Sequence, residues 1–147
     1  MKKINYLVLI VAIFLSLSIY SSNEYALKRI SNKLNCDYYV YAYDKKDIEN
    51  IKCGDYYIYK IKDNQTFFKN KFCEEINLKG NNKTINDIMR LLNIEVVKKF
   101  SDNGINIYGY SSIIKDYFKL EDAKVNIQIF MNDGKIKIAT PLIIGYM

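Results

Sequence analysis

Two pairs of adjacent carboxylates, Glu74-Glu75 and Glu121-Asp122, are the side chains in this sequence best suited to acid–base chemistry. Neighbouring residues of a strand point to opposite faces, and neither pair lies in an apolar stretch that would shift a pKa. The chain has no His, which excludes Ser–His and Cys–His nucleophile pairs and the commonest zinc ligand. We therefore expect solvated carboxylates and no enzymatic activity.

The three cysteines, Cys36, Cys53 and Cys73, have spacings unlike the CxxC pattern of zinc and redox sites. In an exported chain they allow one disulfide with one thiol left over, and all three pairings are open. Cys36 and Cys73 lie in segments with strand patterns, and Cys53 precedes a Gly-Asp turn. We expect buried apolar cysteines with at most one disulfide, no metal site and no cofactor.

The candidate binding residues lie in the segment KVNIQIFMNDGKIKIATPLIIGYM, residues 124–147. Asp133-Gly134 between two alternating segments predicts a two-residue hairpin turn. Counting outward from the turn gives the apolar cross-strand pairs Met131:Ile136, Ile129:Ile138, Ile127:Thr140 and Val125:Leu142. The opposite, open face then carries the candidate binding residues Lys124, Asn126, Gln128, Phe130 and Lys137.

Pro141 limits this hairpin because it has no N–H to donate at the predicted hydrogen-bonded pair Asn126:Pro141. Pairing should therefore end or bulge after Thr140, or the missing donor should face an open edge. Asn126 and Thr140-Pro141 would then mark a strand bend or form the floor of a groove, and a bend is the simpler interpretation.

The net charge of the chain is +6, from 22 Lys and Arg against 16 Asp and Glu, and Lys2 and Lys3 belong to the N-terminal segment. This excess favours weak attraction to anionic polymers or lipid headgroups. Only Arg29 and Arg90 are arginines, the residue type best suited to bidentate phosphate and guanine contacts. The composition therefore argues against a dedicated nucleic-acid-binding protein.

The N-terminal stretch MKKINYLVLIVAIFLSLSIYSSNEYA has two lysines followed by an apolar run from Tyr6 to Ile19. As a helix this run would be about 21 Å long, nearer to a signal-peptide core than to a membrane span of about 30 Å. Its candidate cleavage sites are poor, so cleavage and retention are both open. We assign residues 1–23 to a signal peptide or an apolar membrane-anchor helix, and residues 24–147 to one exported domain, anchored or secreted.

Strand and helix patterns follow one another in the rest of the chain. The helical spacing of Leu27, Ile30 and Leu34 predicts a helix capped by Ser22 or Asn23. Strand patterns are present in CDYYVYAY, DYYIYKIK, TFFKNKFCEEINL and INIYGYSSII. The segment KDYFKLEDA leads to the hairpin and is expected to be a polar connection.

A helix over residues 85–101 is predicted by one apolar stripe made of Ile85, Ile88, Met89, Leu92, Val96 and Phe100. Thr84 would cap its start, with Asp87 completing a capping box, and Gly104 would provide its left-handed C-cap. This helix is expected to cover the apolar face of the hairpin.

The stretches KVNIQIF and KIKIATPLIIGY resemble the end of YwmB-family proteins, which are exported proteins described as TATA-box-binding-like. Val125-Asn126-Ile127 and Thr140-Pro141 carry the resemblance, which covers residues 85–146. The resemblance implies an α+β fold, with a curved antiparallel β-sheet and helices packed on one face. It implies no particular activity, because that family has no established one.

We therefore expect a non-enzymatic, extracytoplasmic interaction domain that binds an envelope protein or an anionic polymer, and that contacts the membrane through residues 1–23 if they are retained. The alternative is a nucleic-acid module whose open sheet face enters a minor groove with Phe130 as an apolar wedge. Export, few arginines and a modest charge argue against the alternative.

Overall fold

A computed structural model describes residues 26–62 and 68–144 of the chain. The described part is an α+β domain with two helices, α1 (Ala26–Leu34) and α2 (Asn82–Leu91). Its strands are β1 (Asp37–Ala42), β2 (Asn50–Cys53), β3 (Tyr56–Lys60), β4 (Lys71–Lys79), β5 (Ile94–Phe100), β6 (Ile105–Ser111), β7 (Phe118–Leu120), β8 (Ala123–Val125), β9 (Ile127–Asn132) and β10 (Lys135–Thr140).

Eight of these strands form one antiparallel sheet in the order β2-β3-β1-β4-β10-β9-β6-β5, and β7 and β8 form a separate two-stranded sheet. β1 and β4 pair antiparallel inside this sheet. Two strands, β3 and β2, lie beyond β1, and four strands, β10, β9, β6 and β5, lie beyond β4. On both sides the adjoining hairpin pairs through its later strand, β3 or β10, but β6 and β5 have no counterpart beyond β1.

The main hydrophobic core lies on one side of this sheet, called here the core face, and includes Val40, Ile76, Ile129 and Ile138. Buried residues of both helices belong to the same cluster: Leu27 and Ile30 from α1, and Ile85 and Ile88 from α2. The opposite side, called here the second face, has a smaller cluster built on Tyr41, Cys73 and Ala139.

The predicted helix is confirmed over the described residues as α1. Leu27 and Ile30 of its apolar stripe are buried, whereas Leu34, at the end of the helix, is exposed. Its predicted caps, Ser22 and Asn23, lie outside the described residues, as does the predicted signal peptide or anchor over residues 1–23. Neither described helix is long and apolar enough to cross a membrane.

The start of α2 differs from its prediction. The N-cap is Asn81, whose side-chain oxygen accepts hydrogen bonds from the backbone N–H groups of Lys83 and Thr84. Thr84 lies at the third helical position, and its hydroxyl oxygen accepts from the backbone N–H of Asn81 at 3.2 Å. Thr84 is thus the far member of the capping box, and the predicted partner Asp87 is not part of it.

The predicted helix over residues 85–101 is too long, because α2 ends at Leu91 and Ile94–Phe100 is an edge strand. Asn93 adopts a left-handed conformation with φ 49, which stops the helix, and Asn tolerates this region better than most residues. A spacing of four residues fits two strand repeats as well as one helical turn, so Val96 and Phe100 satisfied both patterns. Gly104 lies in the turn between β5 and β6.

The predicted hairpin is confirmed from its turn outward. Asp133 and Gly134 both have positive φ, as a type I′ turn requires, and the pairs Met131:Ile136 and Ile129:Ile138 form as predicted. Pairing between β9 and β10 ends at Gln128:Ala139, and β10 stops at Thr140. Pairing therefore ends before Pro141 as predicted, but one residue earlier than expected, because the predicted pair Ile127:Thr140 does not form.

The outermost predicted pair, Val125:Leu142, is wrong. Val125 belongs to β8 and pairs with Phe118 of β7, so the segment expected to be a polar connection contains a strand of its own. Glu121 and Asp122 connect β7 to β8, and both have positive φ. Tight pairing over this short turn keeps Val125 away from the strand that ends at Thr140.

The cysteines are free thiols in the structure. The expectation of buried cysteines is confirmed for Cys73, which is buried on the second face, whereas Cys36 and Cys53 are only half-buried. No disulfide joins them.

Candidate functional site

The five candidate binding residues do not form one surface. Phe130 lies opposite Lys137 on the second face, and Gln128 follows on the same face opposite Ala139. Lys124 belongs to the two-stranded sheet, where its ammonium lies 4.5 Å from the ring centre of Tyr117. The predicted surface is therefore divided by the break between β8 and β9.

Asn126 occupies that break and is completely buried. Its amide oxygen accepts a hydrogen bond from the backbone N–H of Ser111 at 2.8 Å. Its amide nitrogen donates to the carbonyl oxygens of Ser111 at 2.9 Å and Ile114 at 3.0 Å. The expectation that Asn126 lies on an open face is wrong, because this side chain joins β6 and the following loop to the hairpin.

Gln128 is also buried rather than open. Its side chain donates to the Asn106 amide oxygen at 3.0 Å and accepts from the backbone N–H of Ile143 at 3.0 Å. The thiol of Cys73 donates to the carbonyl oxygen of Leu142 at 3.3 Å. Residues 141–144 therefore cross part of the second face and cover Gln128 and Cys73.

The uncovered part of the second face carries a basic patch made of Lys79, Lys135 and Lys137. Lys79 and Lys135 are exposed and lie directly opposite each other on β4 and β10. Neither of them makes an ion pair with any residue that the structure describes. Lys137 is the next residue of β10 on this face, and Phe130 lies across from it on β9.

A cavity of about 730 Å³ adjoins this basic patch. All three lysines contribute to its lining, together with the apolar residues Leu34 and Ile136. The basic patch therefore borders a concave surface and does not lie on a flat strand face.

A second like-charge pair, Lys119 opposite Lys124, lies in the two-stranded sheet. It differs from the pair in the basic patch because the Lys124 ammonium lies over the rings of Tyr117 and Tyr110. Aromatic faces attract cations, so part of this repulsion is offset within the protein.

The adjacent carboxylates of Glu74 and Glu75 point to opposite faces of β4, as predicted. Glu74 shares the core face with its cross-strand neighbour Val40, and Glu75 shares the second face with Tyr39 and Ala139. The expectation that both are solvated is wrong, since Glu74 is 5% exposed and Glu75 is 2% exposed. The other predicted pair, Glu121 and Asp122, is exposed.

On the core face, Glu74 accepts a hydrogen bond from the Tyr38 hydroxyl at 2.5 Å and one from the Lys71 ammonium at 3.1 Å. The Lys71 side chain is itself only 16% exposed. Burial raises the pKa of Glu74, and the attraction of Lys71 and the hydrogen bond from Tyr38 only partly offset that effect. A buried carboxyl with a raised pKa beside a cavity is a typical feature of a functional site.

On the second face, Glu75 accepts from the Tyr41 hydroxyl at 3.1 Å and from the Asn77 amide at 3.3 Å, and the Lys137 ammonium lies 3.5 Å away. Burial and the nearby Glu75 charge raise the pKa of Tyr41, and the same two causes raise the pKa of Cys73. Cys73 is therefore an unreactive thiol at neutral pH.

A second cavity, of about 640 Å³, opens at the end of the sheet where β4 begins and β10 ends. Glu74 and Lys71 form part of its wall, and Asn126, Thr140 and Pro141 also line it. The interpretation of Asn126 and Thr140-Pro141 as the floor of a groove therefore describes this region, although Asn126 is fully occupied by protein hydrogen bonds.

The sequence analysis missed Lys71, Glu74 and Tyr38 as a group because it considered only neighbours along the chain. The signal that was present is the unusual placement of two glutamates inside an otherwise apolar strand that has tyrosine-rich strands before it. Within the described residues, no three Cys, Asp or Glu side chains lie close enough together to hold a metal ion.

No protein family profile, curated protein or solved structure matches this chain. The resemblance to YwmB-family proteins thus rests on the C-terminal residues described above.

Proposed function

We propose that this protein is a non-enzymatic, extracytoplasmic interaction domain that binds an anionic polymer of the cell envelope through the basic patch on its second face. Residues 1–23 would direct export and either be removed or hold the domain at the membrane. An envelope protein with an acidic surface would be recognised by the same charges.

The observation that carries this proposal is the pairing of Lys79 with Lys135. Like charges directly opposite each other on neighbouring strands destabilise a sheet. Here no described acidic side chain pairs with either lysine. A bound polyanion would neutralise both charges at once. Binding would therefore relieve the repulsion between the two lysines, and this relief would add to the affinity.

The test is the binding of synthetic poly(glycerol phosphate) to the purified protein at low and physiological salt. The double variant Lys79→Gln/Lys135→Gln should bind about tenfold more weakly and show a shallower dependence on salt. The matched control, Lys45→Gln/Lys52→Gln, removes the same charge from two exposed lysines that do not line the cavity beside the basic patch. An equal loss in the control would mean that net charge alone, and not the basic patch, binds the polymer.

Export is tested separately by introducing Asn82→Cys, an exposed position in the first turn of α2, with the three native cysteines replaced by Ser. A membrane-impermeant thiol reagent should label this cysteine in intact cells. Fractionation then distinguishes an anchored from a secreted domain. Labelling only after lysis would contradict the export proposal.

A finer proposal concerns the fold itself, namely that the sheet is curved, that the helices pack on one face, and that the domain is a TATA-box-binding-like member of the YwmB family. The antiparallel sheet and the buried residues that both helices contribute to the core support this proposal. An experimental structure of a YwmB-family protein with a different strand order would contradict it.

The alternative function, minor-groove binding, is favoured by one observation: Phe130 lies beside Lys137 on the second face and is not fully buried. Binding of duplex DNA that weakens steeply with salt and is lost in Phe130→Ala would support this alternative. DNA binding that is insensitive to salt would exclude it.

A further inference from the structure

The cavity of about 640 Å³ beside Glu74 is distinct from the basic patch. It lies where β4 starts and β10 ends, whereas the patch lies at the other ends of the same two strands. Phe68, Phe72, Tyr110 and Pro141 form its apolar and aromatic walls. A cavity of this size with aromatic walls and a few polar groups fits a small molecule.

Three lysines and two acidic residues complete the lining of this cavity. The lysines are Lys69, Lys71 and Lys115, and the acidic residues are Glu74 and Asp116. Lys71 lies deepest of the three lysines, with 16% of its side chain exposed, and its described ion-pair partner is Glu74 at 3.1 Å. The cavity therefore combines an excess of positive charge with a partly buried ammonium.

We propose that this cavity binds a small organic anion, with its carboxylate or phosphate group on Lys71 and its ring or short chain against Phe72 and Pro141. A charged acceptor at a partly buried ammonium forms a strong hydrogen bond, and the apolar part of such a ligand is removed from water by the aromatic walls.

An organic cation fits the cavity less well. It would need the Glu74 carboxylate, whose oxygens already accept from Tyr38 and Lys71 and which is the more deeply buried member of the ion pair. Of the three lysines, in contrast, Lys69 and Lys115 are exposed. Approach of an anion is favoured electrostatically, and approach of a cation is not.

Anion binding should be coupled to protonation of Glu74. The charged or titratable groups around Glu74 are Lys71 on its own strand, Tyr38 from β1 and Lys28 from α1, with Cys73 and Glu75 as chain neighbours on the other face. When Glu74 takes up a proton, its ion pair with Lys71 is neutralised and competes less with a ligand anion for the Lys71 ammonium. Burial raises the pKa of Glu74, which favours this proton uptake.

The direct test is titration of the full-length protein with benzoate and with phenyl phosphate, followed by amide chemical shifts in NMR spectra. Benzyl alcohol and benzylamine are the neutral and cationic controls of the same size. Saturable binding by at least one of the anions is expected, with shifts at residues around the cavity and at least about tenfold weaker binding of both controls. Benzoate should bind about fivefold more tightly when Glu74 is protonated than when it is charged, so its affinity should fall as pH rises through the raised pKa of Glu74.

Two variants change the affinity in opposite directions. Lys71→Met should abolish anion binding, whereas Glu74→Gln should bind benzoate about fivefold more tightly than the wild type with Glu74 charged, and its binding should not depend on pH. Because Lys71→Met leaves a buried carboxyl without its partner, the stronger binding of Glu74→Gln keeps the test decisive if Lys71→Met fails to fold. Lys135→Gln, in the basic patch, should leave benzoate binding unchanged.

The proposal is overturned if neither anion binds saturably, if benzyl alcohol binds as tightly as the anions, or if Glu74→Gln weakens binding. None of these results bears on the basic patch, since polymer binding there is measured with a different probe and different lysines.

Discussion

Glu74 and Glu75 are neighbours along the chain, yet the protein surrounds their carboxyl groups differently on the two sides of β4. Each has a lysine and a tyrosine within reach. Glu74 has the shorter contacts, at 2.5 Å to Tyr38 and 3.1 Å to Lys71, and it borders a cavity. Glu75 has three partners at 3.1 to 3.5 Å and lies in the cluster that residues 141–144 help to cover.

This difference indicates separate roles for the two carboxyls. Glu75 has a structural role, because its three partners come from three strands, β1, β4 and β10, which it links together. One of those partners, Asn77, has an amide oxygen without a described hydrogen-bond partner, so the arrangement is not fully satisfied. Glu74 has fewer partners and lies next to space that a ligand can enter, which suits a group that changes its protonation.

The largest expected effect comes from removing each carboxyl. Glu75→Ala should lower the free energy of unfolding by about 4 kcal/mol and Glu74→Ala by about 3 kcal/mol, since each removes a buried acceptor shared by a tyrosine hydroxyl and a lysine ammonium. Urea denaturation at pH 7 measures both. A larger loss for Glu74→Ala would contradict the structural role assigned to Glu75.

Removing the tyrosine hydroxyls tests whether the shorter hydrogen bond to Glu74 stabilises the protein more than the longer one to Glu75. Tyr38→Phe should cost about 2 kcal/mol, because it removes the 2.5 Å hydrogen bond to Glu74, and Tyr41→Phe about 1 kcal/mol, because its bond to Glu75 is longer at 3.1 Å. Both variants keep the ring and its packing, so each acts as the packing control for the other. Equal losses would mean that the two hydrogen bonds do not differ in strength.

The pH dependence of stability isolates Glu74. Its pKa is raised in the folded protein, so the wild type loses stability as pH rises from the unfolded-state pKa through the folded one. Glu74→Gln lacks this loss, and its free energy of unfolding relative to wild type should increase by about 1 kcal/mol over that window. Urea midpoints measured from pH 4 upward provide the comparison, with pH 4 as the internal reference. A difference that is constant with pH would contradict the raised pKa.

The smallest change in stability is expected for an exposed ion pair. Lys60 and Asp37 are 2.9 Å apart, but about half of each side chain is exposed. Solvent and salt screen such a pair, so Asp37→Asn should leave the urea midpoint unchanged within error. A measurable loss would mean that burial is not what separates the Glu74 and Glu75 pairs from surface pairs.

Features set by local sequence could be predicted from it. Asp133-Gly134 defines a turn by itself, and the register of Met131 and Ile129 then follows by counting. The alternation of Tyr38 and Val40 on β1 is likewise local. The predicted helix over residues 85–101 was wrong for a local reason as well. The apolar spacing in its second half does not distinguish a helix from a strand. The left-handed conformation of Asn93 ends the helix there.

The candidate site depends on contacts that are distant in sequence. β4 lies between β1 and β10, and its hydrogen bond from Tyr38 to Glu74 joins residues 36 positions apart. No count along the chain places these groups together. The burial of Asn126 and Gln128 has the same origin, because their partners belong to β6, the loop after it and the segment after β10.

The covering of Cys73 by the segment after β10 also has a consequence for biosynthesis. The Leu142 carbonyl that accepts from this thiol is 69 residues further along the chain. During translation, Cys73 therefore leaves the ribosome long before its cover exists, and any oxidant encountered in that interval reaches a thiol that the finished protein conceals. Oxidised Cys73 in the isolated protein would therefore indicate oxidation of the nascent chain before folding, and not reactivity of the folded protein.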